Sequence, residues 1–167
     1  MAKRSFNVAT WTPTAVADTT GFTASAYQAI QGGSSTQFIN VLEVYMGGQA
    51  GASAPTFMVL ARDSTVAVTP TALTTGQKDA ALSPFTAALA APPTSFVTAS
   101  TQPQRSSTLG LLNLSYNAFG GIVRWVAAPG EEIGMYGNTA SLGEVSLSAY
   151  TGGTPGLMGS HIIYEPF

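Results

Sequence analysis

This chain has one histidine, His161, and no cysteine, so nucleophilic chemistry has a single candidate base and no thiolate. Zero Cys also removes disulfides, iron–sulfur clusters and the thiolate class of zinc site. A Ser–His–Asp system needs a serine exposed on a tight, glycine-flanked elbow within reach of the imidazole, and no such elbow occurs. His161 instead sits in the alternating run Ser160-His161-Ile162-Ile163-Tyr164. That is the setting of a partly exposed strand histidine, or of one bonded to a neighbouring backbone carbonyl. One His with carboxylates is a conceivable ligand set, but no two candidate ligands show helical i, i+4 or comparable spacing.

The carboxylates are no more suggestive. Glu131-Glu132 is the only adjacent pair. A glycosidase-type acid and nucleophile must face one cleft roughly 5–9 Å apart, whereas neighbours on a strand point to opposite faces. Asp18-Thr19-Thr20-Gly21 approximates the Asp-Thr-Gly of a carboxylate dyad, but it carries an extra Thr and has no second copy. Gly152-Gly153-Thr154-Pro155-Gly156 lacks the Lys and the following helix of a phosphate loop. Asn113-Leu114-Ser115 fits a glycosylation sequon, which is idle without a secretory route. Trp11, Trp125 and the tyrosines are capable of stacking on sugars. Trp125 alternates with Arg124 inside an apolar strand, however, and reads as packing. The residues therefore assign no catalytic group, no cofactor and no metal site.

The elements that must carry these residues have unusual composition. Only 8% of the 167 residues are charged, against about 25% in ordinary soluble domains, while Ala, Thr, Gly and Ser fill 80 positions. The surface must therefore be largely neutral. Six Lys and Arg in a chain of net charge −2 cannot form the basic stripe that phosphate-backbone binding draws on, so no nucleic-acid partner is expected. Met1-Ala2-Lys3-Arg4 is not followed by the apolar core of a secretory signal. The longest apolar stretches, residues 87–93 and 125–129, fall well short of the ~20 residues that cross a bilayer. Synthesis in a cytoplasm and no membrane partner are the expectations.

About nine period-2 segments rich in β-branched and aromatic residues recur, each closed by Gly, Pro or Asn. The longest runs from Phe38 to Met46. Strict alternation places Phe38, Asn40, Leu42, Val44 and Met46 on one face and Ile39, Val41, Glu43 and Tyr45 on the other. Both faces are apolar enough that the outer one should be covered by a loop or by another subunit. Further strands are expected over 56–61, 111–116 and 121–127, after the Pro129-Gly130 turn, over 143–150, and from Ser160 to the end. Between Thr69 and Pro103 the pattern lapses, and residues 76–82 and 85–91 suit short helical turns split by Pro84. We expect a long loop excursion there, with Phe85, Leu89 and Phe96 as contact residues.

The expected fold is all-β: one antiparallel β-sandwich domain spanning 1–167, jelly-roll-like in topology. A domain with so few charges tends to self-associate unless its faces are occupied. Assembly into a larger shell would occupy them.

Four segments carry a resemblance: Phe57-Met58-Val59-Leu60-Ala61-Arg62-Asp63, the block Gln104 to Ser115, the turn Arg124 to Glu132, and the terminal run His161 to Phe167. With them the chain resembles small structural proteins of tailed double-stranded DNA phages, most nearly the decoration, or cement, proteins of the capsid. The resemblance is one of overall character across Lys3 to Phe167. It implies a β-rich accessory subunit, trimeric or dimeric, on the virion surface, bracing neighbouring major capsid subunits, with no catalytic residues. On that reading residues 1–11 form an arm in which Lys3, Arg4, Phe6, Val8 and Trp11 dock on a neighbour as an added strand. The competing reading makes the same residues the first strand of the chain's own sandwich. The alternative function is a jelly-roll glycan-binding module of a tail fibre or cell surface.

Overall fold

A computed structural model describes residues 5–10, 27–53, 55–81, 93–150 and 157–166. Their regular structure is entirely strand: β1 (Phe6–Thr10), β2 (Gln28–Gln31), β3 (Phe38–Gln49), β4 (Pro55–Thr65), β5 (Val68–Ala72), β6 (Thr75–Gln77), β7 (Thr94–Thr101), β8 (Gln104–Asn117), β9 (Val123–Val126), β10 (Ile133–Tyr136), β11 (Glu144–Tyr150) and β12 (Leu157–Pro166). No helix among these residues is long and apolar enough to cross a membrane. Every pairing is antiparallel, and two six-stranded sheets pack as a β-sandwich. The first runs β10-β3-β12-β1-β6, with β9 also paired to β3; the second runs β5-β7-β2-β11-β4-β8.

The pairing follows a simple order. Counted inward from the two ends, β1 pairs with β12, β2 with β11, β3 with both β9 and β10, and β4 with β8. The chain is thus one long double-stranded ribbon wrapped so that successive pairs alternate between sheets. Strands β5, β6 and β7 are additions between β4 and β8: β5 and β7 extend the second sheet beyond β2, and β6 extends the first beyond β1.

The core lies between the sheets. It gathers Val8, Ile30, Ile39, Leu60, Leu147 and Ile162, among others, all fully buried. Burying one such side chain stabilises the fold by about 1.5–3 kcal/mol. Several polar groups inside bond across the layers. Gln28 of β2 accepts a hydrogen bond from Ser160 of β12 and donates to the Val8 carbonyl of β1, and the Tyr27 hydroxyl donates to the Met158 carbonyl. These bonds fix the register of one sheet on the other.

Strict alternation along β3 fails at one point. The β3–β12 register slips between Ile163 and Tyr164, which face Glu43 and Val41 and leave Leu42 as an extra residue. A β-bulge of this kind reverses which residues face inward beyond it. Ile39 and Val41 before the bulge, and Val44 and Met46 after it, all enter the core. Phe38, Asn40, Leu42, Glu43 and Tyr45 look outward at partial exposure.

Two other expectations are corrected. The stretch 69–103 is not an irregular excursion with helical turns in its described part, because β5, β6 and β7 fall in it. Phe96 lies on β7, between β2 and β5, opposite Ala29 and Ala72. Phe85 and Leu89 lie outside the described residues. The second correction concerns the arm: Phe6–Thr10 is an internal strand between β12 and β6. Phe6 and Val8 are 3% and 0% exposed, so their side chains belong to this chain's own core, where Phe6 stacks on Tyr164. Lys3, Arg4 and Trp11 lie outside the described residues.

Candidate functional site

The outer face of the first sheet is where polar, aromatic and apolar side chains meet at the surface. The bulge aims Glu43 and Tyr45 outward from β3, and the alternation of β12 adds His161 and Ile163 beside them. From the other side of β3, Arg124 pairs opposite Tyr45. Its guanidinium donates to both Glu43 oxygens, Nε to Oε1 at 2.7 Å and Nη2 to Oε2 at 2.9 Å. This fork geometry fixes the two side chains in one plane and cancels their charge.

Tyr45 and His161 form the centre. Their rings stack at 4.5 Å between centroids and 21° between planes, and Tyr45 Oη lies 2.8 Å from His161 Nδ1. Burial holds the imidazole below its ordinary pKa; the ammonium of Lys78 adds to the effect and the carboxylate of Glu43 opposes it. The ring is therefore neutral at pH 7 and shares one hydrogen bond with the tyrosine hydroxyl at Nδ1.

Three shallow hollows run together across this face. The largest, about 500 Å³, lies over Leu42, Lys78 and Glu165. It shares Glu43, Lys78 and Ile163 with a second of about 360 Å³. The second shares Tyr45 and Ile122 with a third of about 230 Å³, which reaches His161. The result is one continuous trough. Along its β9 and β10 side stand large apolar side chains open to water: Ile122 at 74% exposure, Val126 at 53%, Phe38 at 44% and Tyr136 at 40%. Phe38 and Tyr136 are ring partners at 4.5 Å. Exposed apolar groups gathered on one face, rather than scattered singly, mark a surface built for contact.

No family model matches this chain, and no curated protein sequence matches it.

The opposite outer face, on the second sheet, is closed along β11 and the adjoining part of β4. Glu144, Ser146 and Ser148 of β11 and Val59, Ala61 and Asp63 of β4 point there, and each is at most 3% exposed. The β4–β5 connection lies over part of it: the Ala67 N–H donates to both Glu144 oxygens at 3.1 Å. Ser146 Oγ donates to Asp63 Oδ1 at 2.6 Å. Asp63 stands opposite Arg105 of β8, itself 3% exposed. Burial raises Asp63 to about 6, with hydrogen bonds from Ser146 and Glu144 opposing the rise. Burial and the adjacent Asp63 carboxylate raise Glu144 to about 9. At neutral pH Glu144 is therefore a neutral carboxylic acid.

The groups singled out from sequence fall as follows. His161 is gathered with Tyr45, a partner that no spacing rule reveals because the two are 116 residues apart. Trp125 packs against the core. Glu132 Oε1 accepts the Gly130 N–H at 3.1 Å, and Glu131 N–H bonds the Ala128 carbonyl at 2.9 Å. Together with Gly130 at φ +87°, these bonds close a type II turn. Asp18 to Gly21 and Gly152 to Gly156 lie outside the described residues, as does Trp11. Among the described residues, no three His, Asp or Glu come together as a metal site. Phe38, Ile122, Val126 and Tyr136, the apolar contact residues, were not among the sequence candidates. Their signal was available as apolar residues at outward positions of strands beside β3.

Proposed function

We propose that this chain is a structural virion protein, a decoration or cement subunit that binds the outside of a phage head and braces neighbouring major capsid subunits. The observation that carries the reading is the open trough of the first sheet. Ile122 and Val126 line it, and they and the Phe38–Tyr136 pair on the same sheet face are exposed in a chain with only 8% charged residues. Three of the ionisable side chains, Asp63, Arg105 and Glu144, are buried, which leaves the water-facing surface still more neutral. Contact with another subunit covers apolar area at about 25 cal/mol per Å² and desolvates few ions. The ribbon order supports the finer fold reading of a jelly roll, an architecture shared by viral capsid and lectin domains. In this reading the subunit needs no cofactor, catalyses no reaction, and braces the shell through buried interface alone.

The test is binding to shells assembled from the major capsid protein encoded with this chain, read by co-sedimentation and negative-stain microscopy. The wild-type protein is expected to pellet with shells and add surface density. Val126→Lys with Tyr136→Lys should abolish this while leaving the circular dichroism spectrum unchanged. Wild-type binding by the double variant, or no binding by the wild type, overturns the proposal.

The Phe38–Tyr136 ring pair, on the same sheet face as the Glu43–Arg124 fork, favours one second reading, a glycan-binding module. Glycan-array binding lost on Tyr136→Ala, without shell binding, would establish it instead.

A further inference from the structure

We infer that the turn between β8 and β9 docks into the glycine-floored end of the trough on a second copy of this chain, each copy giving and receiving one Phe119.

The smallest hollow of the trough, about 230 Å³, lies among Thr10, Tyr45, Gly47, Ile122, Gly159 and His161. Gly47 of β3 and Gly159 of β12 stand opposite each other. Each is two residues from a member of the Tyr45–His161 stack, so alternation turns both towards the same outer face. The floor is therefore bare backbone, with the stacked rings and Ile122 as walls. Glycine inside a strand weakens it and often marks a place where something else comes close to the backbone. A Cβ at Gly47 would meet only Ile122 Cγ1, at an ordinary 3.6 Å, so packing within the chain does not call for glycine there.

Phe119 is 62% exposed, yet its turn is held. The preceding Ala118 is buried in the core. The Phe119 N–H donates to Asn117 Oδ1 at 3.1 Å and the Gly120 N–H to the Asn117 carbonyl at 3.0 Å, while Asn117 Nδ2 donates to Ser53 Oγ at 2.9 Å. An aromatic ring presented from a fixed turn loses little freedom on binding, as suits a contact anchor.

Knob and hollow are close together on one molecule. Phe119 is three residues from Ile122 on the rim, a chain distance of at most about 11 Å. A two-fold axis passing beside Ile122 brings Phe119 of each copy to the hollow of the other, an isologous contact that closes at two subunits.

The charge pattern suits a like partner. Two-fold symmetry sets like groups near one another, so a charged rim would repel its own copy. Among the described residues no charged side chain lines this hollow, and none occurs from Ser106 to Val123. An aromatic side chain carries about 150–250 Å² of surface, so two Phe119, two Ile122 and the walls they cover amount to roughly 1,000 Å², the lower bound of a specific interface. The dimer is correspondingly weak and takes only the Ile122 end of the face. Val126 and Tyr136 stand further back along β3, opposite Glu43 and Phe38, and stay open.

This inference goes beyond the virion reading and does not rest on it. A dimer that fails to bind shells would sink that reading alone, and a monomer that binds shells would sink this one.

Sedimentation velocity of the wild type at millimolar concentration should show a dimer. Phe119→Ala removes the knob and Gly47→Val fills the hollow. Each should raise the dissociation constant by at least about tenfold with an unchanged circular dichroism spectrum. Mixed one to one, the two variants should associate more tightly than either alone, because the Gly47→Val copy still offers Phe119 and the Phe119→Ala copy still offers the hollow. General damage to the fold would not give that rescue. If Gly47→Val fails to fold, Phe119→Ala decides alone. A monomeric wild type, a dimer indifferent to Phe119→Ala, or a mixture of folded variants no tighter than its parts overturns the proposal.

Discussion

Asp63 and Glu144 meet across the β4–β11 pair with both side chains out of contact with water. The register that sets Arg62 opposite Val145 places them face to face one step further on. Two carboxylates cannot both ionise in that setting, and the pair keeps a proton instead.

Stability should therefore depend on pH in a direction opposite to that of a salt-bridged acid. Both folded-state pKa values are raised, Asp63 to about 6 and Glu144 to about 9, so the folded chain binds protons more tightly than the unfolded one. The pair's contribution is fully present below the unfolded carboxyl pKa and is lost as pH climbs through 6 towards 9. Denaturant melts from pH 5 to 9 should show this decline. Glu144→Gln, which mimics the neutral acid, should flatten it and gain on the order of 2 kcal/mol over the wild type at pH 9. A variant as pH-sensitive as the wild type would refute the assignment.

The single histidine gives a second titration. Its imidazole pKa, followed by NMR, should lie below the ordinary value because burial and Lys78 disfavour the cation. Lowered pKa in the folded state means that stability is held above the unfolded histidine pKa and lost as pH falls below it. Lys78→Ala should move the value up. A wild-type value at or above 6.5 would contradict the neutral ring.

How far the fold was legible follows from the range of the forces involved. Alternation revealed β3, β4, β8, β11 and β12, because each buries one face and period 2 is a local property. The faces of β3 were misread past Leu42 because a bulge leaves no mark on composition. Its existence depends on how Tyr164 and Ile163 register from the other end of the chain. β5 to β7 escaped notice because they are additions at sheet margins, and β5 is mostly exposed, so no core face imposes a pattern. Nothing in the alternation of Glu144, Ser146 and Ser148 with Val145 and Leu147 marks that polar face as covered. Part of their cover, Ala67, comes from 77 residues away. The Tyr45–His161 centre was hidden for the same reason: His161 was legible as a strand residue, but its partner was not.

Gly32 illustrates a constraint that was half visible. The run Gln31-Gly32-Gly33 reads as a loop ending, yet the need for glycine arises from a crossing. A Cβ at Gly32 would stand 1.9 Å from the carbonyl oxygen of Gly137, whose own φ is +74°. Backbone, not a flexible side chain, would have to move. Gly32→Ala should therefore cost about 2–3 kcal/mol, measured by urea denaturation. Gly51→Ala, where nothing lies within 4 Å, should cost far less. Equal costs would mean that the crossing tolerates a methyl group.

Arg62 holds the same crossing from the other side. Its Nη2 donates to the Gly134 carbonyl at 2.7 Å and its Nη1 to the Leu142 carbonyl at 3.3 Å, so one guanidinium ties β4 to β10 and to the connection that leads into β11. Beside it, the Ser141 N–H bonds the Asp63 carbonyl at 2.6 Å, and the Gly143 N–H bonds Thr139 at 2.8 Å. Removing the fork takes the guanidinium from the Gly134 carbonyl, leaves Leu142 with its bond from the Tyr136 N–H, and frees the connection before it frees the core. Arg62→Ala should lower stability by about 1–2 kcal/mol and speed amide exchange at Ser141 and Gly143 well before that of Leu60 or Leu147. Arg62→Lys should recover only part of the loss, since one ammonium on a flexible stem does not reproduce the planar reach of the fork. Unchanged exchange at Ser141 and Gly143 in Arg62→Ala would show that the connection is held without it, and full recovery by lysine would show that charge alone suffices.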